Sequence, residues 1–143
     1  MTVSVKRRIA GEIRKHLPRE ARVGVDLVEI GSFRSKFDGR DELLKQVFTA
    51  TEIGYARAQR RPWLHLAARF AAKEATFKAI GCGIAGAMSW RDVEVRGDEA
   101  GEPSVMLSGE TARRAAALGL RRFAVSLTHG RQYAVAVVLA FVS

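Results

Sequence analysis

The segment WLHLAARFAAKEATFKAIG (63–81) is the longest uninterrupted helical pattern in the chain, rich in alanine and closed by Gly81. Around it stand strand patterns that do not alternate regularly with helices: RVGVDLVEI (22–30), VEV (93–95), SVML (104–107), FAVSLTH (123–129) and QYAVAVVLAFV (132–142). One long helix among short strands, without βαβ alternation, predicts an α+β domain rather than a doubly wound sheet. At 143 residues and 48% hydrophobic content, the chain has the size and composition of a single domain with its own core.

The remaining punctuation is local. Val5, Ile9, Ile13 and Leu17 recur at i+4 steps among Lys6, Arg7, Arg8, Arg14 and Lys15, which predicts a short basic amphipathic helix closed by Pro18. Residues 1–20 therefore read as a basic N-terminal extension, and 21–143 as the domain proper. Ser32 is a plausible N-cap for a helical stretch, 32–48, that breaks near Gly39. Thr49 and Glu52 fit a capping box, T-x-x-E, opening the next helix, and Pro62 ends that segment or starts the following one. GDEAGEP reads as the turn between VEV and SVML, residues 109–118 as a helix ending at Gly119, and Gly130-Arg131 as a tight turn between the last two strands.

The net charge is +9, with a pI near 10.6, so an anionic partner is expected: nucleic acid, acidic lipid, a phosphate-rich small molecule or an acidic protein. Aromatic content of 8% is thin for base-stacking platforms, and no zinc-finger, basic-zipper or RNA-recognition pattern is present. The single Cys82 excludes an internal disulfide framework and a multi-cysteine metal site. No apolar run approaches the ~18 residues of a membrane span, and MTVSVKRRIAGEIRKHLPRE is too polar for a signal peptide, so a cytoplasmic protein is expected.

Two carboxylates stand out. Asp26 sits between Val25 and Leu27 in an apolar strand, where a charge is costly unless paired, hydrogen-bonded or bound to a cation. An arginine partner at a strand end would equally satisfy it. Glu74 shares a stripe of the long helix with Leu66, Phe70 and Phe77, with Lys78 at i+4 and Arg69 and Lys73 flanking. A simple Glu–Lys pair would account for it, as would a carboxylate held at a cleft. Taken together, Asp26 and Glu74 suit a hard cation such as Mg²⁺, which completes its shell with waters and substrate phosphates. Arg69, Lys73 and Lys78 would then face the same phosphates.

Other groups carry less. GCGIAG (81–86) matches G-x-G-x-x-G but follows a helix rather than a strand, so it reads as a helix end and loop that could approach a phosphate or pantetheine arm. His129 ends a strand beside a glycine turn, while His16 and His65 fall on helices. No Cys/His cluster suggests zinc, and Ser126 has no triad context.

VGVDLVEI (23–30), FTATE (48–52), ARFAAKEATFKAIGCG (68–83) and SLTH (126–129), in this order and spacing, resemble the holo-acyl-carrier-protein synthases, the short members of the 4′-phosphopantetheinyl transferase superfamily. The resemblance runs from residue 22 to about 141. It implies a small antiparallel sheet packed on a long helix, and a homotrimer with active sites between subunits. The implied reaction moves 4′-phosphopantetheine from coenzyme A to a serine of an acidic apo acyl carrier protein, with Mg²⁺, leaving adenosine 3′,5′-bisphosphate. It implies metal binding by Asp26 and Glu74 and places Lys78 near the phosphates; Glu74, directly or through a metal-bound water, is then the candidate base for the carrier serine. Arg69, Lys73, Gly81, Gly83, Ser126 and His129 match positions lining the coenzyme A site. Arg34, Lys36, Arg40 and Lys45 occupy the stretch that would meet the carrier protein, or simply form a solvated basic face. No nucleic-acid or membrane partner is implied. Departures are the roughly twenty residues ahead of the Asp26 strand, Thr128 where serine is usual, and Cys82. Two rival readings are a silent carrier-binding subunit of a synthase and a basic nucleic-acid-binding module. The second gives no account of Asp26 and Glu74.

Overall fold

A computed structural model describes residues 3–16, 21–81, 88–97 and 101–142. The elements in chain order are α1 (Val3–His16), β1 (Ala21–Glu29), α2 (Ile30–Phe37), α3 (Asp41–Val47), α4 (Ala50–Arg57) and α5 (Pro62–Ile80). A single 3-10 turn (Trp90–Asp92) then leads to β2 (Val93–Arg96), β3 (Ser104–Leu107), α6 (Gly109–Ala117), β4 (Arg122–His129) and β5 (Tyr133–Phe141). Strands β1, β5 and β4 form one antiparallel sheet in that order, and β2 and β3 a separate hairpin. The α+β expectation is met.

The long helix α5 is the axis of the fold. Its sequence carries alanine wherever the sheet comes close. Ala71, Ala72, Ala75 and Ala79 are buried against Ala136, Val138 and Ala140 of β5. Small side chains on both surfaces let helix and sheet backbones approach closely. The extreme case is Gly24 of β1, where a Cβ would stand 1.8 Å from the carbonyl oxygen of Ala75. No side chain fits there.

The opposite flank of α5 meets an aromatic cluster. Phe33 and Phe37 of α2, Phe48, Trp63 and Phe70 stack edge-on or tilted, with Phe33 to Phe70 at 5.4 Å and Phe70 to Trp90 at 4.9 Å between ring centroids. A third flank packs Phe77 on Met88 and Val93. Buried on three sides, α5 leaves only Phe70, Glu74 and Lys78, one residue per turn, half-buried between fully buried neighbours along its central and C-terminal turns.

Several local expectations are refined. The break near Gly39 is real: its φ of 75° divides the 32–48 stretch into α2 and α3. Ser32 is not an N-cap, because α2 starts at Ile30 directly off β1, and the Ser32 hydroxyl instead donates to Glu29 Oε1 at 3.2 Å. The Thr49–Glu52 capping box forms with both of its hydrogen bonds. The last turn is one residue longer than expected, spanning Gly130 to Gln132, with Gly130 N–H donating to Tyr133 O at 2.9 Å. Helix α1 packs against β1, and Leu17 and Pro18 lie outside the described residues.

The contact at Gly24 makes a sharp prediction. Gly24→Ala forces β1 and α5 apart and destabilises the fold by about 3 kcal/mol or more. Thermal unfolding should show a melting temperature lower by roughly 10 °C. Gly54→Ala, on an open helical surface with nothing within 4 Å of the added Cβ, should hold or raise it.

Candidate active site

Gly24 and Asp26 share the inner face of β1, and Ala75 follows Glu74 on α5. The close approach of these two backbones brings the two carboxylates together. Asp26 is 1% exposed. Its Oδ1 accepts from Lys78 Nζ at 2.9 Å and from Lys6 Nζ of α1 at 3.0 Å. Lys78 also reaches the carbonyl of Val25 at 3.2 Å, and Lys6 the carbonyl of Leu27. Asp26 Oδ2 is buried with no hydrogen-bond partner. Such an atom in a packed interior is costly, and either a cation or a proton held on the adjacent Glu74 carboxyl would satisfy it.

Burial, and then the negative charge of Asp26, push the Glu74 carboxyl up from 4.5 to about 7, while Lys78 and Lys6 oppose the shift. Both carboxylates line a cavity of about 240 Å³ that also takes in Lys6, Glu29, Ser32, Lys36 and Phe70. A crowded carboxylate pair with one orphaned oxygen is a donor set that fits a hard divalent cation. Among the described residues no third acidic or histidine ligand joins them, so water and substrate phosphates would supply the rest of the shell.

Arg69 and Lys73, expected to face the same phosphates, lie apart from the Asp26–Glu74 cleft within this chain. They sit on a different face of α5 and are consumed inside the protein. Lys73 is fully buried, with its Nζ 2.7 Å from Glu52 Oε1, and donates to the carbonyls of Trp90 and Val93. Glu52 Oε1 also accepts from Thr49 N at 2.9 Å, and Glu52 Oε2 from Val95 N at 2.9 Å. One buried carboxylate thus ties the start of α4, the middle of α5 and the β2 strand together. Burial lowers the Lys73 pKa against the pull of Glu52. Arg69 lies with its guanidinium 4.1 Å from the Tyr55 ring centroid and donates to Gly97 O at 2.7 Å. Glu52 was legible only as a cap; its second oxygen, which holds β2, was not.

Of the other expected residues among those described, Lys36 alone lines the Asp26–Glu74 cavity. Gly81 closes α5 in the left-handed region at φ 90°, and Gly83 lies outside the described residues. Ser126 is exposed on the outer face of β4, in register with Val137 and, through it, with Val25 beside Asp26. His129 pairs with Ala134 at the end of β4 and packs edge-on to His65 at 5.6 Å. Arg34, Lys36, Arg40 and Lys45 are all exposed. Lys36 borders the Asp26–Glu74 cavity, whereas Arg34 pairs with Asp38 at 3.3 Å and Lys45 with Glu42 at 3.5 Å. Two residues that sequence reasoning did not place at the site are Phe70, signalled by its i−4 spacing from Glu74, and Lys6.

Against known proteins, residues 22–138 match the 4′-phosphopantetheinyl transferase superfamily. The holo-[acyl-carrier-protein] synthase of Moorella thermoacetica is 42% identical over 116 residues, covering 81% of this chain and 90% of that protein. That of Geobacter sulfurreducens is 43% identical over 117 residues, covering 81% and 93%. Among solved structures, the Neisseria meningitidis holo-[acyl-carrier-protein] synthase superimposes with a TM-score of 0.71 at 30% identity, covering 83% of this chain and 96% of that one. A Bacillus anthracis holo-(acyl-carrier-protein) synthase in complex with coenzyme A (3′,5′-ADP) superimposes with a TM-score of 0.69 at 31% identity, covering 85% and 96%. The fold is that of a phosphopantetheinyl transferase. Within that superfamily this chain belongs to the holo-[acyl-carrier-protein] synthases.

Two predictions follow from the two carboxylate groups. Lys73→Met strands the Glu52 charge in the interior and costs about 3–5 kcal/mol in denaturant unfolding, and adding Glu52→Gln recovers much of it. A rise in KM for coenzyme A with unchanged stability would instead put Lys73 at the substrate. Glu74 behaves differently. Its folded-state pKa lies above the unfolded value, so its contribution is complete below pH 4.5 and is lost as pH rises through about 7. With chelator present, Glu74→Gln should therefore be more stable than the parent at pH 8, by on the order of 1 kcal/mol after solvent screening, and should melt with the parent at pH 4.

Proposed function

We propose that this chain transfers the 4′-phosphopantetheine of coenzyme A to a serine of an apo acyl carrier protein, releasing adenosine 3′,5′-bisphosphate. The observation that carries this is the meeting of Asp26 and Glu74 in one cleft, with Lys78 bonded to Asp26, in a chain of this family. Asp26 and Glu74 would hold Mg²⁺, which when bound neutralises the pyrophosphate of coenzyme A and polarises its phosphoryl group. Lys78, on the rim of the cleft with a side chain 35% exposed, steadies charge on the phosphates.

Glu74 accepts the proton of the carrier serine as its oxygen bonds to phosphorus and the pyrophosphate bond breaks. The leaving bisphosphate departs as an anion and needs no acid. Phe70 and the buried walls around Asp26 limit water at the reacting centre.

The acidic carrier protein meets the basic face of α2 and α3, with Arg34, Lys36, Arg40 and Lys45 setting encounter rate and register. Ser126, His129 and Gly81 border the coenzyme A site across a subunit boundary. Support for an assembly, read as a homotrimer, comes from the outer face of the sheet, where Leu27, Val135, Val137 and Leu139 remain only half-buried in the single subunit. Among the described residues no helix is long and apolar enough to cross a membrane, which is compatible with work on a carrier protein in the cytoplasm.

Intact-mass spectrometry of an apo carrier protein, incubated with the chain, coenzyme A and Mg²⁺, should show the gain of one phosphopantetheine, abolished by EDTA. Asp26→Ala and Glu74→Gln should each lower the rate at least about a hundredfold with helical content retained. Near-parental turnover in either variant removes the assignment.

A further inference from the structure

Helix α1 lies outside the residues that match the family, yet its Lys6 reaches into the catalytic cleft. The Lys6 ammonium sits 3.0 Å from Asp26 Oδ1 and also binds the Leu27 carbonyl. It is largely withdrawn from water, its side chain 18% exposed. It is the second ammonium on one oxygen, since Lys78 already stands at 2.9 Å on the same Oδ1.

We propose that α1 is a built-in latch, with the Lys6 ammonium on Asp26 Oδ1 standing beside the place at Oδ2 that a divalent cation takes for catalysis. This rests on reading Asp26 and Glu74 as the cation's ligands. A divalent cation binds carboxylate oxygen at about 2.0–2.1 Å. Seated there, it would stand within a few ångströms of the Lys6 charge in a partly desolvated cleft, where like charges repel strongly. Cation in and Lys6 out are therefore one event.

The latch is lightly held. The apolar stripe of α1 that could anchor it remains more than a third exposed, with Val5 and Ile9 at 38% and Ile13 at 36%. The charge contacts of Lys6 add to that docking. A latch of this kind lowers apparent cation affinity by the fraction of molecules in which it is open. It keeps Asp26 neutralised in the resting enzyme, and the combined charge of cation and coenzyme A phosphates releases it.

The test is a Mn²⁺ titration of the full chain followed by electron paramagnetic resonance, with Lys6→Met and Asp26→Asn alongside. Lys6→Met keeps the stem and removes the charge. It should bind Mn²⁺ about tenfold more tightly than the parent, the equivalent of one charge-assisted hydrogen bond, while Asp26→Asn binds weakly. A second readout needs no variant: acetylation of Lys6 by acetic anhydride, mapped by mass spectrometry. Lys6 should be protected in the metal-free chain and modified several-fold faster once Mn²⁺ and coenzyme A are added. Equal Mn²⁺ affinity in the parent and Lys6→Met, with Asp26→Asn still weak, overturns the latch and leaves the cation site standing. Unchanged Lys6 labelling on adding Mn²⁺ and coenzyme A overturns it as well. Absence of Mn²⁺ binding in parent and Lys6→Met, with and without coenzyme A, removes the cation site and the latch together.

Discussion

The distance between β1 and α5 at Gly24 and Ala75 governs this molecule. A Cβ on Gly24 would overlap the Ala75 carbonyl, so the strand can lie on the helix only with hydrogen at that position. Asp26, one same-face step along β1, and Glu74, the helical neighbour of Ala75, are brought together by that approach. The alanines of α5 and β5 extend the same tight seam along the helix. Loosening it would separate the two carboxylates before it exposed much of the core, so packing and chemistry share one constraint.

Adjacent residues on α5 do opposite work because the helix turns about 100° between them. Lys73 points into the interior, where Glu52 neutralises it and backbone carbonyls take its remaining protons. Glu74 points into the cleft, where Asp26 and desolvation raise its pKa and two ammoniums oppose the rise. The first arrangement is complete within the chain: its carboxylate has donors on both oxygens. The second is incomplete, with Asp26 Oδ2 lacking any partner. A buried ion pair with every oxygen satisfied is a structural joint, and one that leaves an oxygen without a donor is open to a further ligand. That distinction separates two charge clusters that lie side by side in the sequence.

Much of this was legible from residue order. The Thr49–Glu52 cap, the break at Gly39, the stop at Gly81 and the strand patterns rest on local backbone preferences, which act over a few residues and leave direct traces in composition. The oddity of Asp26 and Glu74 was legible too, because charge on an apolar strand or stripe violates the pattern around it. The fates of Arg69 and Lys73 were not, since both flank Glu74 in sequence and only the angle around the helix separates them. Nor was the reach of Lys6, whose partner lies twenty residues away in the chain.

Sequence alone determined the α+β class, the basic surface and the identity of the two cleft carboxylates, because periodicity, charge and anomalous polarity are properties of short stretches. Tertiary structure alone decided which cations stay at the cleft. Lys78 reaches it, Lys73 and Arg69 are spent on Glu52, Tyr55 and backbone carbonyls, and Lys6 enters from a segment outside the family match. The physical reason is that a charged side chain takes whichever partner offsets its desolvation, and that partner is set by packing across the chain rather than by neighbours along it.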